Sequence, residues 1–288
     1  MAATAFDYAY LRQIVLSYSH NVLEPSSDYL FDTRLSHILQ RNGLAHPGEL
    51  VRQLRGRSDS SLERAIAEAM TINETSFFRD GRPFTLLRNE LLPKLIAARR
   101  ATRTLRFWSA ACSTGQEALS LAILIREHFP FVADWNIRID GTDVSAAVVR
   151  RAREGRYHRI EVNRGLSARL ISRYFKRDGD DWIARPEIHT FCDFREANLC
   201  TSPPPISPPA QFDLILLRNV MLYFSPETRR AVLYSVHGVL APDGCLFLGS
   251  TEQPADPSRW VSVLAGGTCY LQPSPPAPVP NPAESQKV

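Results

Sequence analysis

The sequence lacks the features that would place it in a membrane or an oxidising compartment. It has no run approaching the roughly 18 apolar residues of a membrane-spanning helix. Its first residues, Met-Ala-Ala-Thr-Ala-Phe-Asp, have neither the basic start nor the apolar core of a signal peptide. The five cysteines are odd in number and form no Cys-x-x-Cys pair, which argues against disulfides and zinc. We therefore expect a cytoplasmic protein that inserts into no membrane and holds no metal ion.

Two signatures of nucleotide and nucleic-acid enzymes are also missing. The Gly-x-Gly-x-x-Gly motif of dinucleotide-binding proteins does not occur, and the turn after the first predicted strand has the single glycine Gly115. The end of the fourth predicted strand lacks the Asn/Asp-Pro-Pro-aromatic sequence typical of methyltransferases that modify amides and adenines. We therefore expect no bound pyrophosphate and no nucleic-acid partner.

The 288 residues are 44% hydrophobic and 22% charged, as in ordinary soluble globular proteins. The net charge of +4 is unevenly distributed, because residues 145–185 hold eleven Arg and Lys against five acidic residues. Such a basic stretch favours an acidic partner, with a solvated helix face as an equally weighted alternative. Arg34, Arg41, Arg52, Arg55 and Arg57 add positive charge near the N-terminus.

Apolar periodicity divides the chain into four parts. In residues 1–72, apolar side chains recur every three or four residues, which predicts a small helical domain. Residues 73–103 are predicted to form a linker segment and a helix. Residues 104–272 alternate strands with helices, which indicates a mostly parallel α/β sheet covered on both faces. The Pro-rich tail, 273–288, is predicted to be disordered.

The predicted strands are 104–110, 136–143, 188–193, 212–219, 245–251 and 261–271. The longest predicted helices are the linker helix around 83–100 and the helices 116–128 and 226–240. A small β-subdomain is predicted near 165–190, with a hairpin at 173–183 that turns at Asp178-Gly179. Residues 201–210 are rich in proline and are predicted to form a surface loop.

Four strand ends hold candidate binding residues, since ligands bind beyond the carboxyl ends of parallel strands. Small side chains at 110–115 let the backbone approach a ligand, and Glu117 either favours the helix dipole or lies near a ligand's ammonium group. Asp143 either accepts both hydroxyls of a ribose or caps the next helix with Ser145; we favour the ribose. The side-chain amide of Asn198 can hydrogen-bond the edge of a purine, with Leu199 as an apolar wall beside it. Asparagine is also common in loops, which is the alternative interpretation.

The fourth end is the most distinctive of these. A buried apolar strand reaching Leu217 runs directly into Arg218 and Asn219 and then into an aromatic pair that begins at Tyr223. A buried arginine needs a partner, and Tyr223 combines an apolar ring with a polar tip.

The segment 73–80 (Asn-Glu-Thr-Ser-Phe-Phe-Arg-Asp) suits a lid whose apolar residues pack while its polar residues reach a ligand. Together with other stretches in the same order, it resembles the CheR-type chemoreceptor protein-glutamate methyltransferases over roughly residues 8–271. The matching stretches are 71–79, 108–117, 141–143, 152–157, 198–199 and 218–224.

The resemblance implies a class I methyltransferase domain, Rossmann-like with a mostly parallel seven-stranded sheet. It also implies S-adenosylmethionine as methyl donor and glutamates in the cytoplasmic helices of chemoreceptors as acceptors. Arg79 and Tyr223 would lie by the methyl group, and we expect a monomer. The residues that would surround the cofactor are Asn73, Thr75, Arg79, Ala110, Glu117, Asp143, Asn198, Leu199, Leu217 and Arg218.

Three departures from the family pattern bear on these expectations. Gln116 replaces a usual glutamate and Ala118-Leu119 a usual Pro-Tyr, but both changes leave Glu117 in place, so we expect a working pocket. The hairpin region 173–187 contains only Gly179, whereas family members that dock a receptor's C-terminal pentapeptide are richer in glycine there. The hairpin therefore predicts methylation that is independent of the pentapeptide.

Overall fold

The computed structural model describes residues 3–202, 204, 210–254 and 256–274. The predicted tail therefore lies outside the described residues from 275 onward, as do 203 and 205–209 of the loop predicted at 201–210. In the described ranges, no helix is both long enough and apolar enough to cross a membrane.

Five helices near the N-terminus share one apolar cluster. They are α1 (Ala5–Ser19), α2 (Tyr29–Arg34), α3 (Ser36–Arg41), α4 (Pro47–Gly56) and α5 (Ser60–Ala69). α1 begins at a capping box, in which Thr4 and Asp7 each bond the other's backbone N–H. Leu11 of α1 packs with Leu50 of α4 and Ile66 of α5, so this unit has a core of its own.

A broken helix connects this unit to the sheet. α6 (Arg82–Leu86) and α7 (Leu92–Ala98) are joined by a π-helical turn at Leu87–Leu91. Pro83 lies in the first turn, where its missing N–H costs no hydrogen bond. The leucines along one side pack against the sheet, in agreement with the linker helix predicted around 83–100.

The α/β part then follows in chain order. Its first elements are β1 (Thr104–Ala110), α8 (Gln116–His128), β2 (Asn136–Asp143) and α9 (Ala146–Glu154). The small inserted subdomain comprises β3 (Arg156–His158), α10 (Arg159–Asn163), α11 (Ala168–Tyr174), β4 (Phe175–Asp178) and β5 (Asp181–Ala184). The remaining elements are α12 (Pro186–His189), β6 (Cys192–Glu196), β7 (Phe212–Leu217), α13 (Pro226–Val239), β8 (Leu240–Leu248), β9 (Trp260–Ala265) and β10 (Thr268–Pro273).

Seven strands form one sheet in the order β6-β2-β1-β7-β8-β10-β9. The pairs from β6 to β8 are parallel, and β10 runs antiparallel to both of its neighbours. Alternate residues of the strands face opposite sides: Leu214 and Leu216 pack with α7 and α8, whereas Ile215 and Leu217 pack with α13. The predicted sheet, mostly parallel and covered on both faces, is confirmed.

The inserted subdomain is a three-stranded antiparallel sheet in the order β3-β5-β4. Its hairpin turns at Gly179-Asp180, because Asp178 pairs with Asp181. The predicted turn at Asp178-Gly179 was therefore wrong by one residue. Gly179 has φ +62°, the left-handed conformation that glycine supplies at the first position of a two-residue hairpin turn.

The strand predicted at 188–193 was placed too early. Pro186 begins the short helix α12, which buries Ile188, and the strand starts only at Cys192. A short apolar run does not by itself distinguish a buried helical turn from a strand. The error shortens the strand but leaves its carboxyl end beside β2.

The late strands also differ from the prediction. β8 begins at Leu240 and ends at Leu248, so its predicted range of 245–251 started and ended too late. The single strand predicted at 261–271 is a hairpin, β9 and β10, whose turn is Gly266-Gly267. Both glycines have positive φ, the signature of a tight turn joining antiparallel strands.

Candidate active site

A cleft opens where β1, β2 and β7 end, with about 870 Å³ of free space including open solvent. Its lining combines charged, amide and apolar side chains, as small-molecule sites do. Nine residues of the predicted site line the cleft: Asn73, Thr75, Arg79, Glu117, Asp143, Asn198, Leu199, Arg218 and Tyr223. Ala110 and Leu217 do not line it; both are buried in the apolar cluster against α13, and Ala111 lines the cleft beside Ala110. The structure brings the four strand ends together, while the ligand roles of these residues remain predictions.

Asp143, the last residue of β2, has a buried carboxylate. Its two oxygens accept backbone N–H bonds from Ser113 (2.9 Å) and Ser145 (3.1 Å). Burial raises the pKa of Asp143, and the nearby carboxylate of Glu68 raises it further. The backbone hydrogen bonds oppose this rise. A carboxylate can accept more than two hydrogen bonds, so the helix contact and a ribose contact are compatible.

The turn after β1 is compact. Ser113 has φ +50°, and its hydroxyl donates to the backbone carbonyl of Asn73 (2.8 Å). Gly115 has φ +90°, and a Cβ there would lie 2.9 Å from the ring of Phe194. Glycine is therefore required both for the backbone conformation and for the space.

Arg218 is the centre of a buried ion-pair network. Its side chain is 2% exposed and donates to Glu117 (2.9 Å), Asp80 (2.5 Å) and the carbonyl of Arg79 (3.1 Å). The other oxygen of Glu117 accepts from Ser109 (2.7 Å). The two terminal nitrogens of Arg218 thus have partners, whereas its buried Nε has none among the described residues. The ion pairs tie the end of β7 to α8 and to the segment 73–80. The side chain of Gln116 is buried, accepts a hydrogen bond from Thr114 (2.7 Å) and does not line the cleft.

The segment 73–80 is held by its aromatic residues. Phe77 makes edge contacts with Tyr157 and Phe175 of the inserted subdomain, and the N–H of Phe78 donates to Ser120 (2.9 Å). Gly165 lies so close that a Cβ there would be 1.9 Å from the carbonyl oxygen of Phe77. The apolar residues therefore pack while Asn73, Thr75 and Arg79 face the cleft, as the sequence predicts.

Arg79 and Tyr223 approach the cleft from different elements. The guanidinium of Arg79 donates to the carbonyl of Glu74 (2.7 Å) within its own segment. Burial raises the pKa of Tyr223, and the positive charge of Arg79 partly opposes this rise. The phenol is therefore protonated at neutral pH and available as a hydrogen-bond donor.

The sequence did not identify the part of the lining that comes from the N-terminal unit. Ser19 and Asn21 line the cleft, and the side-chain amide of Asn198 donates to the carbonyl of Tyr18 (2.7 Å). The N–H of Val22 donates to the carbonyl of Tyr223 (2.8 Å). These contacts are made mainly by backbone groups, which every residue type possesses, so residue identity gives no signal for them.

These features fit S-adenosylmethionine. A buried carboxylate ends the second strand, where a ribose diol can be bound, and a small-residue turn leaves room for close approach. The sheet order, with one antiparallel strand inserted beside the last parallel strand, and a cleft at the carboxyl ends define the class I methyltransferases that use this cofactor.

Comparison with known proteins identifies the family. Residues 73–268 match the family described as CheR methyltransferase, SAM binding domain. The chain is 36% identical over 256 residues to chemotaxis protein methyltransferase 1 of Pseudomonas aeruginosa. This match covers 88% of this chain and 92% of that protein. It is 30% identical over 264 residues to the chemotaxis protein methyltransferase of Escherichia coli, covering 90% and 88%. The chain belongs to the CheR methyltransferase family, which confirms the resemblance, the fold class and the cofactor predicted from the motifs.

Proposed function

We propose that this enzyme transfers a methyl group from S-adenosylmethionine to glutamate carboxylates in the cytoplasmic helices of chemoreceptors, in the cytoplasm. The main supporting observation is the segment 73–80, which lines the cleft at the strand ends and presents Arg79 on the same lining as Tyr223. The similar proteins named chemotaxis protein methyltransferase agree with this assignment.

The chemistry requires positioning more than proton transfer. A glutamate side chain, with a pKa of about 4.3, is already ionised at neutral pH, so no general base is needed. S-adenosylmethionine, when bound, would supply an electrophilic methyl group on a sulfonium; the carboxylate oxygen would bond to that methyl while the carbon–sulfur bond broke to give a neutral thioether. Arg79 and the protonated Tyr223 orient the incoming carboxylate in line. Since charge is neutralised in the transition state, these donors must hold the carboxylate without quenching it.

The remaining lining residues divide between the two ends of the cofactor. Asp143 binds the ribose hydroxyls, while Asn198 and Leu199 border the base. The amide of Asn198 already donates to Tyr18, so base recognition uses its second N–H and spare lone pair. Glu117 lies on the side of the ammonium group, beside Arg218, Asn73 and Thr75. Ala110 and Leu217 do not line the cleft and support it from below as the last residues of β1 and β7.

Methylation is proposed to be independent of a receptor's C-terminal pentapeptide. The β4–β5 hairpin has a two-residue turn with the single glycine Gly179, which is less glycine than the pentapeptide-docking version of this hairpin carries. A test is the transfer of labelled methyl to receptor cytoplasmic fragments with and without the last five residues. We expect base-labile label on glutamate at equal initial rates for the two fragments.

The same assay separates the alternatives. A rate that depends on the last five residues would contradict pentapeptide independence alone. Label on nucleic acid or on small molecules would indicate a different methyltransferase. Cofactor binding by calorimetry without transfer to any receptor would indicate a sensing or scaffolding protein instead.

The basic stretch 145–185 is proposed to face the acidic receptor bundle. Five of its basic residues, Arg151, Arg156, Arg164, Arg169 and Arg173, form ion pairs within the protein. Others, including Arg150, Arg159 and Lys176, form no ion pair with any residue in the described part of the chain. These free charges, rather than the whole stretch, are available to a partner.

Methyl transfer should therefore weaken as ionic strength rises. Exposed charges are screened beyond about 8 Å at physiological salt, so added salt should raise the KM for the receptor. The measurement is the initial rate against receptor concentration in a series of NaCl concentrations. The control is the cofactor Kd in the same buffers, which should change little. A receptor KM that does not respond to salt would exclude this docking surface.

A further inference from the structure

Glu252 makes an unusual set of contacts just after β8. Its carboxylate accepts four backbone N–H bonds: one oxygen from Gly249 (2.6 Å) and Asn219 (2.9 Å), and the other from Val220 (2.9 Å) and Leu222 (3.2 Å). The residue is 9% exposed. A single buried side chain thus satisfies most of the free N–H groups between the end of β7 and Tyr223.

Glu252 binds the first part of the loop that leads from β7 to Tyr223. β7 ends at Leu217, Asn219 turns the chain with φ +59°, and one 3₁₀ turn at Met221–Tyr223 follows. The first N–H groups of a helical turn have no partner within it and need an acceptor. An ionised carboxylate is the strongest acceptor available, and here it fixes three backbone units immediately before Tyr223.

The same carboxylate acts on Tyr223 electrostatically. Burial is the main cause that raises the pKa of Tyr223, and the negative charge of Glu252 raises it further. Both effects keep the phenol protonated. Glu252 lines the neighbouring groove on the other side of this loop and does not line the cleft itself. It reaches the cleft lining through its hydrogen bonds to the backbone of Asn219 and Val220.

We propose that Glu252 is a positioning residue for methyl transfer, which holds the 219–222 backbone so that Tyr223 meets the acceptor carboxylate. This inference rests on the proposed role of Tyr223 in orienting that carboxylate. It assigns Glu252 no contact with substrate or cofactor.

Two substitutions perturb the contact in different ways. Glu252→Gln keeps the shape but replaces one acceptor oxygen with an NH₂ group, which leaves two backbone N–H groups without an acceptor. Gly249→Ala keeps the carboxylate but places a Cβ 2.7 Å from its oxygen and 2.8 Å from the side chain of Asn219. We expect kcat to fall about 10- to 100-fold in both, as for a small misplacement of a reacting group, with the cofactor Kd changed less than about threefold.

Matched controls separate positioning from general stability. Asp213→Asn alters another buried carboxylate that accepts a backbone N–H, from Arg106 (2.8 Å), away from the cleft. Gly238→Ala adds a Cβ in α13, where nothing lies within 4 Å. Both controls should keep the wild-type kcat when assayed at a temperature at which circular dichroism shows every variant to be folded.

Coupling to Tyr223 provides the decisive readout. If Glu252 acts through Tyr223, Glu252→Gln should cost much less in a Tyr223→Phe background than in the wild type. Three outcomes would each overturn the inference. They are an unchanged kcat in both single variants, equal losses of kcat and cofactor affinity, and fully additive effects of Glu252→Gln and Tyr223→Phe. A wild type that transfers no methyl to receptor would overturn the proposed function, and this inference with it, whereas the preceding outcomes leave that function standing.

Discussion

Arg218→Met is expected to lower the free energy of unfolding by about 3–5 kcal/mol and to weaken cofactor binding by about 100-fold. The substitution keeps the length of the side chain but leaves Glu117 without its ionic partner at 13% exposure. It also removes the donors to Asp80 and to the carbonyl of Arg79. The segment 73–80 then loses its link to β7, and with it the placement of the residues that line the cleft. Urea unfolding and calorimetric titration with S-adenosylmethionine measure the two effects.

Arg99→Met is the matched control for Arg218→Met. Arg99 also pairs with a buried aspartate, Asp213 (2.7 Å), but it precedes β1 and lies away from the cleft. This variant should lose stability while keeping the wild-type cofactor Kd. A further check is Glu117→Gln combined with Arg218→Met, which should recover part of the lost stability because the uncompensated charge is gone. Normal cofactor affinity in Arg218→Met would show that the network does not shape the cleft.

The sequence predicts the part of the fold that depends on regular patterns. β1 and β2 and the helix α8 have the predicted bounds, because apolar residues recur at regular spacing along each of them. The prediction failed where a short apolar run is ambiguous, as at Ile188, which lies in a helical turn. It failed again where a glycine pair inside an apolar run marked a turn, as at Gly266-Gly267.

The residues of the site likewise divide into those that the sequence could predict and those that it could not. Asp143 could be predicted as a candidate because a parallel sheet fixes where its strands end, whatever the remainder of the chain does. Glu252 could not, since three of its four partners are backbone N–H groups about thirty residues away along the chain. Arg218 lies between these cases. Its expected burial implied a partner, but only the fold shows that the partners are Glu117 and Asp80.

Asp143→Asn is expected to weaken S-adenosylmethionine binding by about 100-fold or more. Two ribose hydroxyls would donate to an ionised acceptor, and hydrogen bonds to charged groups contribute about 1.5–3 kcal/mol each. The amide can present only one acceptor oxygen, which Ser113 and Ser145 already need. Calorimetric titration at neutral pH measures the loss, with Asp213→Asn as a control that should bind normally.

The pH dependence of binding gives a sharper test of Asp143, because burial raises the pKa of its carboxyl. The folded protein therefore holds the proton to a higher pH than the unfolded chain does. The free energy of unfolding therefore falls progressively as the pH rises from the ordinary pKa of the carboxyl to the raised one.

The binding of S-adenosylmethionine has the opposite pH dependence, since the ribose hydroxyls need the ionised carboxylate. Affinity should be lost as the pH falls through the raised pKa, which lies above the range of an exposed aspartate. Asp143→Asn should abolish this pH dependence and Asp213→Asn should retain it, even though burial also raises the pKa of Asp213. An unchanged pH profile in Asp143→Asn would remove this carboxylate from cofactor binding.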